Sequence, residues 1–414
     1  MTSRKDFISQ DYFRNQADAI ARLRAQGPVL QVHFPIIGKV WITTTNEVAG
    51  RVLKDSETFT LRKTDGSLGG IAWWLPPSMR AMADNMLTMD EPNHTRLRQI
   101  VDEAFRRRAI LDMEPRIMAI AEEMADRLFA EGTPADAVQR YARKLPLEVI
   151  SELLGLPQED RAAFTTWSAR VTHIKGLLSM IGLLPAMGAM RRYLARRLEK
   201  VRAEGGEGLI AELVRAEKEG QQISPDEMVA MVFLLLGAGT ETTAHLISGS
   251  VYELARNPKL RDWLAADWGR GNLAIEEFLR YLSPVQFSKP RHVRKDVDLG
   301  GVTVKKGDRI MVMIAAADMD PAANTCPERM DLERRPNRHL AFGTGIHFCL
   351  GHQLARIEGK CALQALFTRW PGLELAVLEA DIKWLERPGL NAIASLPVTP
   401  GQQQQHAQVR KQAA

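Results

Sequence analysis

One cysteine stands in a frame of glycines that is unusual for a structural thiol. The segment Phe342-Gly343-Thr344-Gly345-Ile346-His347-Phe348-Cys349 leads through Gly351 into a helical pattern. Glycines let backbone N–H groups approach a ligand closely. A sulfur at the start of a helix also feels the positive end of its dipole, which favours the thiolate. A metal–thiolate bond is therefore the chemistry that this segment predicts; a buried structural cysteine is the alternative.

Eight defined positions in fourteen make up the pattern around the cysteine: Phe342, Gly343, Gly345, His347, Cys349, Gly351, Leu354 and Ala355. The pattern resembles the haem-binding signature of the cytochrome P-450 monooxygenases. This resemblance implies that Cys349 is the proximal thiolate ligand of haem b and that His347 lies near a haem propionate. Phe342, Gly343 and Gly351 are the other cofactor-binding residues it implies here. A zinc site of His347, Cys349 and His352 is the rival hypothesis, but its spacing matches no closed tetrahedral site.

A second chemical feature lies in the longest predicted helix. Ser224-Pro225-Asp226-Glu227 is a capping box with proline at the first helical position, and Asn257-Pro258 ends the pattern. The residues between would span about 48 Å. The first half of this helix, 228–236, is apolar nearly all round and is expected to be buried. Two glycines and a glutamate then interrupt it within 237–243, against ordinary helix preferences.

Local rules broken together indicate a functional site more often than an accident. A close helix–helix contact at the glycines is the alternative. The segment resembles the distal oxygen-activation motif of the same family. The resemblance implies that Ala238 and Gly239 leave room for dioxygen, that Thr242 donates a hydrogen bond there, and that Glu241 relays protons from solvent. This acid–alcohol pair favours dioxygen with two electrons from a reductase over direct use of peroxide.

Further matches are weaker when taken alone. His94 and Arg98 lie four apart on one helix face, and the resemblance assigns both, with Arg291, to the haem propionates. A buried dianionic edge needs such cationic partners. Glu277 and Arg280 lie three apart and resemble the structural Glu-x-x-Arg pair of the family. The third member of this pair is expected to be Arg329, with His339 as a second candidate.

The chain also departs from the family pattern. Asp318-Met319 stands where Asn-Arg is commoner, and Met330 stands where phenylalanine usually follows Arg329. Both departures lie in the structural part of the chain, so they put the local packing in doubt and not the reaction. The resemblance covers about residues 28–400 in consistent order.

Composition predicts a cytoplasmic enzyme. The chain has 414 residues and three cysteines, which favours a reducing compartment without disulfides. Residues 1–26 are polar, so neither a signal peptide nor a membrane anchor is expected. The net charge of +5 is modest, and the basic clusters lack aromatic residues between them, so nucleic acid is not an expected partner.

Helical periodicity dominates residues 95–280, and strands are expected around 29–42, with Gly38 in a turn, and over 285–313 with two hairpins. We therefore expect a mainly α fold with a small β region. We also expect one domain over 1–400 and a disordered, glutamine-rich tail over 401–414. The resemblance implies the triangular, helix-rich cytochrome P-450 fold, with haem between the long central helix and the helix after the cysteine loop.

The segments expected to line the substrate pocket are apolar. Their members are Trp73, Trp74, Met86, Leu235, Val285, Phe287 and Ile393. Residues 174–190, rich in leucine, methionine and glycine, are interpreted as a mobile lid. Lys289 and Arg62 are the basic side chains that could bind a carboxylate of the substrate. These features favour an apolar substrate such as a terpenoid, a steroid, a fatty-acid derivative or an aromatic compound, although about half of the wall residues are expected to belong to ordinary core.

The leading hypothesis is a monooxygenase that inserts one atom of dioxygen into an unactivated C–H bond; the alternative is a haem-thiolate sensor or carrier. The chain has no glycine-rich dinucleotide fingerprint. Electrons should therefore come from a separate acidic ferredoxin or flavodoxin-type donor with its own reductase. Docking is expected at Arg106, Arg107 and Arg108, with Arg356 and Lys360 nearby. A monomer is expected.

Overall fold

The computed structural model describes residues 5–35, 37–67, 84–107, 110–161 and 177–401. Several predicted features lie outside these ranges: Trp73, Trp74, Arg108, residues 174–176 of the proposed lid and the tail from 402. The side chains of Arg106 and Arg107 are also outside the description.

The described residues are mainly helical, as the sequence predicts. The α-helices are α1 (Lys5–Ile8), α2 (Gln10–Arg14), α3 (Gln16–Arg24), α4 (Asn46–Lys54), α5 (Asn93–Arg107), α6 (Glu114–Arg127), α7 (Lys144–Leu154), α8 (Leu177–Glu204), α9 (Leu209–Lys218), α10 (Pro225–Arg256), α11 (Pro258–Ala265), α12 (Gly271–Leu282), α13 (Ile314–Asp318) and α14 (His352–Arg369). Short 3-10 turns occupy Met86–Thr88, Ile110–Met113, Gln158–Asp160, Trp268–Arg270 and Glu379–Asp381, and a π-helical turn occupies Val138–Ala142.

The strands form a small β region. They are β1 (Val29–Phe34), β2 (Gly38–Thr43), β3 (Phe59–Thr60), β4 (Ala135–Asp136), β5 (Arg291–Val293), β6 (Val297–Asp298), β7 (Thr303–Val304), β8 (Arg309–Val312), β9 (Glu374–Leu375) and β10 (Pro397–Thr399). The largest sheet has the order β1-β2-β8-β5-β3; a second has the order β4-β10-β9, and β6 pairs with β7. In the largest sheet β2 pairs parallel with β8, and the other neighbours are antiparallel.

Local signals in the sequence account for several of these elements. The capping box of α10 forms, since the Glu227 carboxylate accepts the Ser224 N–H at 2.8 Å and the Glu227 N–H donates to the Ser224 hydroxyl at 3.2 Å. The β1–β2 hairpin turns at Gly38, whose φ is +80°. The predicted turns at 298–301 and 306–308 also form, with Gly300, Gly301 and Gly307 at positive φ.

The described chain falls into two compact units. The first unit comprises the described residues of Met1–Thr60, Glu114–Leu145 and Thr242–Ala414, and the second those of Leu61–Met113 and Pro146–Glu241. The division falls inside α10, between Glu241 and Thr242. One domain over 1–400 stays a prediction.

The first unit contains all three sheets. Its core packs the face of α4 that carries Val48 and Val52 against the apolar side chains of β5 and β8. In the same unit α14 packs along α6, and two buried side chains reach across to backbone oxygens. The Tyr141 hydroxyl donates to the carbonyl of Ala362 at 2.7 Å, and the Trp370 indole donates to that of Ala125 at 2.8 Å.

The second unit is built from helices. Helix α9 packs against α5 and α8, burying Leu209, Leu213 and Val214. The first part of α10 is tied down in this unit by Arg96, which binds the carboxylate of Glu227 and the carbonyl of Gln222. This contact adds a long-range partner to the capping box.

One helix among the described residues, α10, is long and apolar enough to cross a membrane by length and composition. Within its most apolar window, 61% of the residues are buried inside the protein. A core helix of a soluble protein has the same properties, so this is weak support for a membrane span.

Candidate functional site

The loop that carries Cys349 is held by hydrogen bonds within its own backbone. The N–H of Cys349 donates to the carbonyl of Phe342 at 2.9 Å, and the N–H of Gly343 donates to that of Leu340 at 2.7 Å. The loop therefore closes on itself, and Cys349 lies next to Phe342, the first residue of the motif. The sulfur lies half-buried just before the N-terminus of α14, where the helix dipole favours an anionic sulfur.

Gly345 allows a close approach between this loop and α4. Its φ is +76°, and a Cβ built on it would lie 2.5 Å from the carbonyl oxygen of Leu53. Gly343 has a similar φ of +68°, but its Cβ would meet nothing nearer than the His347 carbonyl at 4.0 Å. The two glycines thus have different reasons to be there: backbone conformation at Gly343, and conformation plus contact at Gly345.

The side chain of Arg356 holds the start of α14 in place through contacts within the first unit. Its guanidinium donates to the Glu276 carboxylate at 2.5 and 2.9 Å and lies 2.8 Å from the His352 Nδ1. Its central carbon stands 4.5 Å from the centre of the Phe342 ring. The sequence predicts a docking role for Arg356, but its guanidinium forms an ion pair with Glu276. Lys360 likewise forms an ion pair with Glu114.

Glu276 has a second partner, a histidine, next to the loop. The His339 Nε2 lies 2.9 Å from the Glu276 carboxylate. Burial by itself would raise the pKa of Glu276, but the hydrogen bonds from Arg356 and His339 outweigh it and bring the pKa down to about 2. Glu276 is therefore an anion at neutral pH.

The Glu277–Arg280 pair forms as predicted and is completely buried. Arg280 donates to both carboxylate oxygens of Glu277, at 2.7 and 2.8 Å. The third member is Arg334, whose Nε lies 3.0 Å from the same carboxylate. The predictions of Arg329 or His339 in this place were wrong. Arg329 is exposed and contributes only its carbonyl oxygen, because the chain turns here and brings Arg334 inward.

Helix α10 is continuous through its glycines. Gly239 packs closely in the second unit, since a Cβ on it would lie 3.4 Å from the Ile150 side chain. By contrast, Gly237 and Ala238 are exposed in the middle of this apolar helix, and a Cβ on Gly237 would meet nothing within 4 Å. The packing of Gly239 supports the helix-contact interpretation at that residue. Room for dioxygen at Ala238 and Gly239 stays a prediction.

A further threonine, Thr240, lies in the same turn; its type and spacing gave no sign of a role. The Thr240 hydroxyl is buried and donates to the carbonyl of Leu236 at 2.8 Å. A hydroxyl that bonds back in this way uses its proton within the helix and does not donate it to a ligand. Glu241 and Thr242 follow it, and both are half-buried.

Two of the predicted propionate residues lie on α5 in the second unit. His94 is 2% exposed, and burial lowers the pKa of its imidazole below the usual value, more than the neighbouring carboxylates of Glu91 and Asp90 raise it. Arg98 forms an i,i+4 ion pair with Asp102, Nε to Oδ2 3.0 Å. Arg98 thus already has a carboxylate partner beside it.

Arg291, the third predicted propionate residue, lies on β5 in the first unit. Its side chain is only 3% exposed, and one guanidinium nitrogen donates to the carbonyl of Phe59 at 3.1 Å. A buried cation on a sheet strand fits an anion-binding function. His347 lies half-buried in the cysteine loop of the same unit.

Some of the predicted pocket residues belong to the protein core, and others are only partly buried. Phe287 is core: it is 5% exposed and meets Phe34 edge to face at 5.2 Å between ring centres. Val285 is half-buried, while Met86 and Leu235 are buried in the second unit. This division agrees with the expectation that part of the list is ordinary core.

Ile393 lines a separate cavity of about 370 Å³ in the first unit. The cavity wall includes His245, Tyr252 and Glu253 of α10, and none of its lining residues belongs to the cysteine loop. Burial lowers the pKa of His245 to about 3, so its imidazole is neutral at physiological pH. The cavity is therefore not the thiolate site.

The chain is similar in sequence to proteins of one known family. The family model for cytochrome P450 matches residues 186–267 and 272–372. The chain is 35% identical to cytochrome P450 monooxygenase PikC of Streptomyces venezuelae, over 94% of this chain and 92% of that protein. It is 36% identical to the vitamin D(3) 25-hydroxylase of Pseudonocardia autotrophica, over 97% of each chain.

Solved structures agree in fold. The cytochrome P450 PksS of Bacillus subtilis aligns with a TM-score of 0.87 at 33% identity, covering 97% of this chain and 100% of that one. A myxobacterial cytochrome P450 in complex with myristic acid aligns at 0.86 and 34% identity, covering 95% and 98%. The chain belongs to the cytochrome P450 family, has its fold and is a P450 monooxygenase of bacterial type. The family implies a haem cofactor, a redox partner and an organic substrate.

Proposed function

We propose that the chain is a haem-thiolate monooxygenase in which Cys349 is the axial ligand of haem b. The observation that carries this proposal is the setting of the sulfur, half-buried before the N-terminus of α14 in a backbone-bonded glycine loop. The other cysteines are less suitable. Burial raises the pKa of Cys361 to about 12, so it is a thiol at neutral pH, and exposed Cys326 lies outside the loop.

The donor set fits haem better than zinc. In the described ranges, no three His, Cys, Asp or Glu side chains converge as a metal site would require. A structural zinc site needs four protein ligands, whereas haem iron needs one from the proximal side. The nearby His352 is engaged by Arg356, which weakens the zinc hypothesis further.

Bound haem supplies dioxygen activation, and the residues of this chain supply binding and protons. We assign Arg291, His94, Arg98 and His347 to the propionates, because buried anions require cationic or hydrogen-bonding partners. Glu241 and Thr242, adjacent on α10, are assigned to proton delivery. The hydroxyl of Thr242 is the proton donor to oxygen, and the carboxyl of Glu241 resupplies it from solvent.

An apolar substrate is favoured over an anionic one. Arg62, one of the two basic residues that could hold a carboxylate, forms an ion pair with Asp84 and donates to the carbonyls of Thr88 and Gly66. Its guanidinium is therefore engaged by other parts of the protein. Lys289 is exposed and forms no ion pair with the described residues. Relatives named for vitamin D(3) hydroxylation and polyketide biosynthesis support an apolar substrate.

Electrons are proposed to come from a separate ferredoxin or flavodoxin-type protein with its reductase, in the cytoplasm. Arg356 and Lys360 are paired with carboxylates, so docking rests on the cluster 106–108. Reversing Arg107 and Arg108 to Glu should slow reduction severalfold and weaken its dependence on salt. An unchanged reduction rate would move docking elsewhere.

Spectroscopy of the reduced protein with carbon monoxide tests the ligand. We expect the strongly red-shifted Soret band of a thiolate complex in the wild type, and its loss in Cys349→Ala. Cys361→Ala and Cys326→Ala are matched controls that should keep the band. If Cys349→Ala binds haem and keeps it, the assignment is wrong. A spin-state titration with testosterone and myristic acid then compares substrate classes.

A further inference from the structure

The carboxyl of Asp318 joins the start of the cysteine loop to the end of α12. Asp318 is fully buried at the last position of α13. Its Oδ1 accepts the backbone N–H of Leu340 at 2.5 Å, and its Oδ2 lies 3.0 Å from the hydroxyl of Ser283. Leu340 in turn accepts the N–H of Gly343, and Ser283 is the C-cap of α12, with φ +39°.

The Ser283 hydroxyl has one proton and two nearby acceptors. It lies 3.1 Å from the carbonyl oxygen of Arg280 and 3.0 Å from Asp318. When Asp318 is ionised, the single hydroxyl proton of Ser283 can form a full hydrogen bond to only one of these two acceptors. When Asp318 is protonated, it donates to the Ser283 oxygen, Ser283 donates to Arg280, and Leu340 keeps its acceptor. The protonated acid thus completes all three hydrogen bonds.

The charges around Asp318 only partly stabilise its anion. From the loop side His339 lies near it, already paired with Glu276, and from α12 Arg280 lies near it, already paired with Glu277. From α3, Arg24 reaches the Ala316 carbonyl on α13, with Asp320 as its counter-charge.

Burial raises the pKa of Asp318, while His339, the N–H of Leu340 and the Ser283 hydroxyl lower it. The effect of burial is the larger one, and the pKa rises to about 6. Asp318 in the folded protein therefore changes its protonation near pH 6.

We propose that Asp318 is a positioning residue for the cysteine loop, which couples Ser283 at the end of α12 to Leu340 at the start of the loop most firmly when its carboxyl is protonated. The proposal rests on the proposed role of Cys349 for its functional meaning. An amide at position 318 would mimic the protonated acid, since its oxygen can accept from Leu340 and its NH₂ can donate to Ser283.

The sign of the pH effect follows from linkage. The folded-state pKa is about 6 against an ordinary value of 3.8, so the fold favours the protonated form. The stabilisation is complete below about pH 4 and is lost as the pH rises through 6. The difference corresponds to about a 100-fold change in the folding equilibrium. In Asp318→Asn this pH-dependent loss should disappear.

The experiment uses the haem-loaded full chain. The urea midpoint for loss of the red-shifted Soret band of the reduced carbon monoxide complex is measured from pH 4 to 8. Wild type should lose resistance between about pH 4 and 6 and stay constant above that, Asp318→Asn should remain at the acid-side value, and Asp318→Ala should be weak throughout. Asp320→Asn, a buried carboxylate two residues away, should keep the wild-type transition.

Hydrogen exchange of a peptide spanning Leu340 supplies a readout independent of haem. At each pH, Asp318→Asn is compared with wild type, and its extra protection should be absent near pH 4 and reach its full extent by about pH 6. A wild type without a pH step, or an Asp318→Asn that retains the step, overturns the proposal. If wild type never shows the thiolate band but the exchange difference is present, the role of Cys349 fails while the coupling by Asp318 stands.

Discussion

The guanidinium of Arg334 lies against the carboxylate of Glu277, with its Nε 3.0 Å from Oε2 and 3.2 Å from Oε1. The two residues are 57 positions apart in the chain. Two further donors use the same carboxylate, the Asp331 N–H at 2.8 Å and the Asn337 amide at 3.0 Å. Glu277 is thus the centre that holds the segment before the cysteine loop onto α12.

Arg334→Ala should be strongly destabilising, because it removes one cation from a buried network and leaves the carbonyl of Thr325 without its donor. Breaking a buried pair costs about 3–5 kcal/mol. Urea unfolding and haem content should both show the loss. Exposed Arg335→Ala and Arg329→Ala are the controls and should stay within about 0.5 kcal/mol. An Arg329→Ala as damaging as Arg334→Ala would contradict the assignment.

Gly345→Ala should disturb the cysteine loop more than Gly343→Ala does. Both substitutions place a Cβ at positive φ, which costs about 1–2 kcal/mol. Only at Gly345 does the Cβ also meet a backbone atom, the Leu53 carbonyl. The measurements are thermal unfolding and the fraction of protein that binds haem. Equal effects for the two variants would show that the contact with α4 can relax.

Glu276→Gln should weaken the protein at neutral pH but not in acid. The pKa of Glu276 is lowered from 4.5 to about 2, so its ionised form adds stability above about pH 4.5, and this is lost as the pH falls towards 2. Because the pair is partly exposed to solvent, the expected cost at pH 7 is about 1–3 kcal/mol. Unfolding midpoints across pH 3–7 should converge at the acid end. A gap that does not change with pH would mean that the charge contributes nothing.

Thr242→Ala should uncouple electron consumption from product formation, because the hydroxyl proposed to donate a proton to oxygen is gone. Glu241→Gln should slow the whole cycle, because the carboxyl proposed to resupply that proton is gone. Loss of one such proton-transfer group costs about 10²-fold or more in rate when it acts directly. Product formed per reductant consumed, with peroxide released, is the measurement. Thr240→Ser, which keeps the bond to Leu236, is the control; a Thr242→Ala as well coupled as wild type refutes the role.

The sequence by itself determined those features whose causes lie within a few residues. The capping box of α10, the turns at Gly38 and Gly307, and the Glu277–Arg280 pair at i,i+3 all form as predicted. These interactions need only local backbone geometry, so residue type and spacing are sufficient. The cysteine pattern was specific enough to predict the family, which the comparisons confirm.

Tertiary structure decided which of several chemically equal residues is used. Several arginines lie between 329 and 338, and nothing local marks Arg334 as the one that turns inward to Glu277. Arg356 is likewise drawn inward by Glu276, 80 positions away. Phe287 joins the core because its ring packs edge to face against Phe34, which is distant in the chain. Asp318 becomes a buried acid because the folded chain brings it to Leu340 and Ser283. Burial and long-range hydrogen bonding depend on the packed chain, and they decide which charges are satisfied internally and which pKa values move.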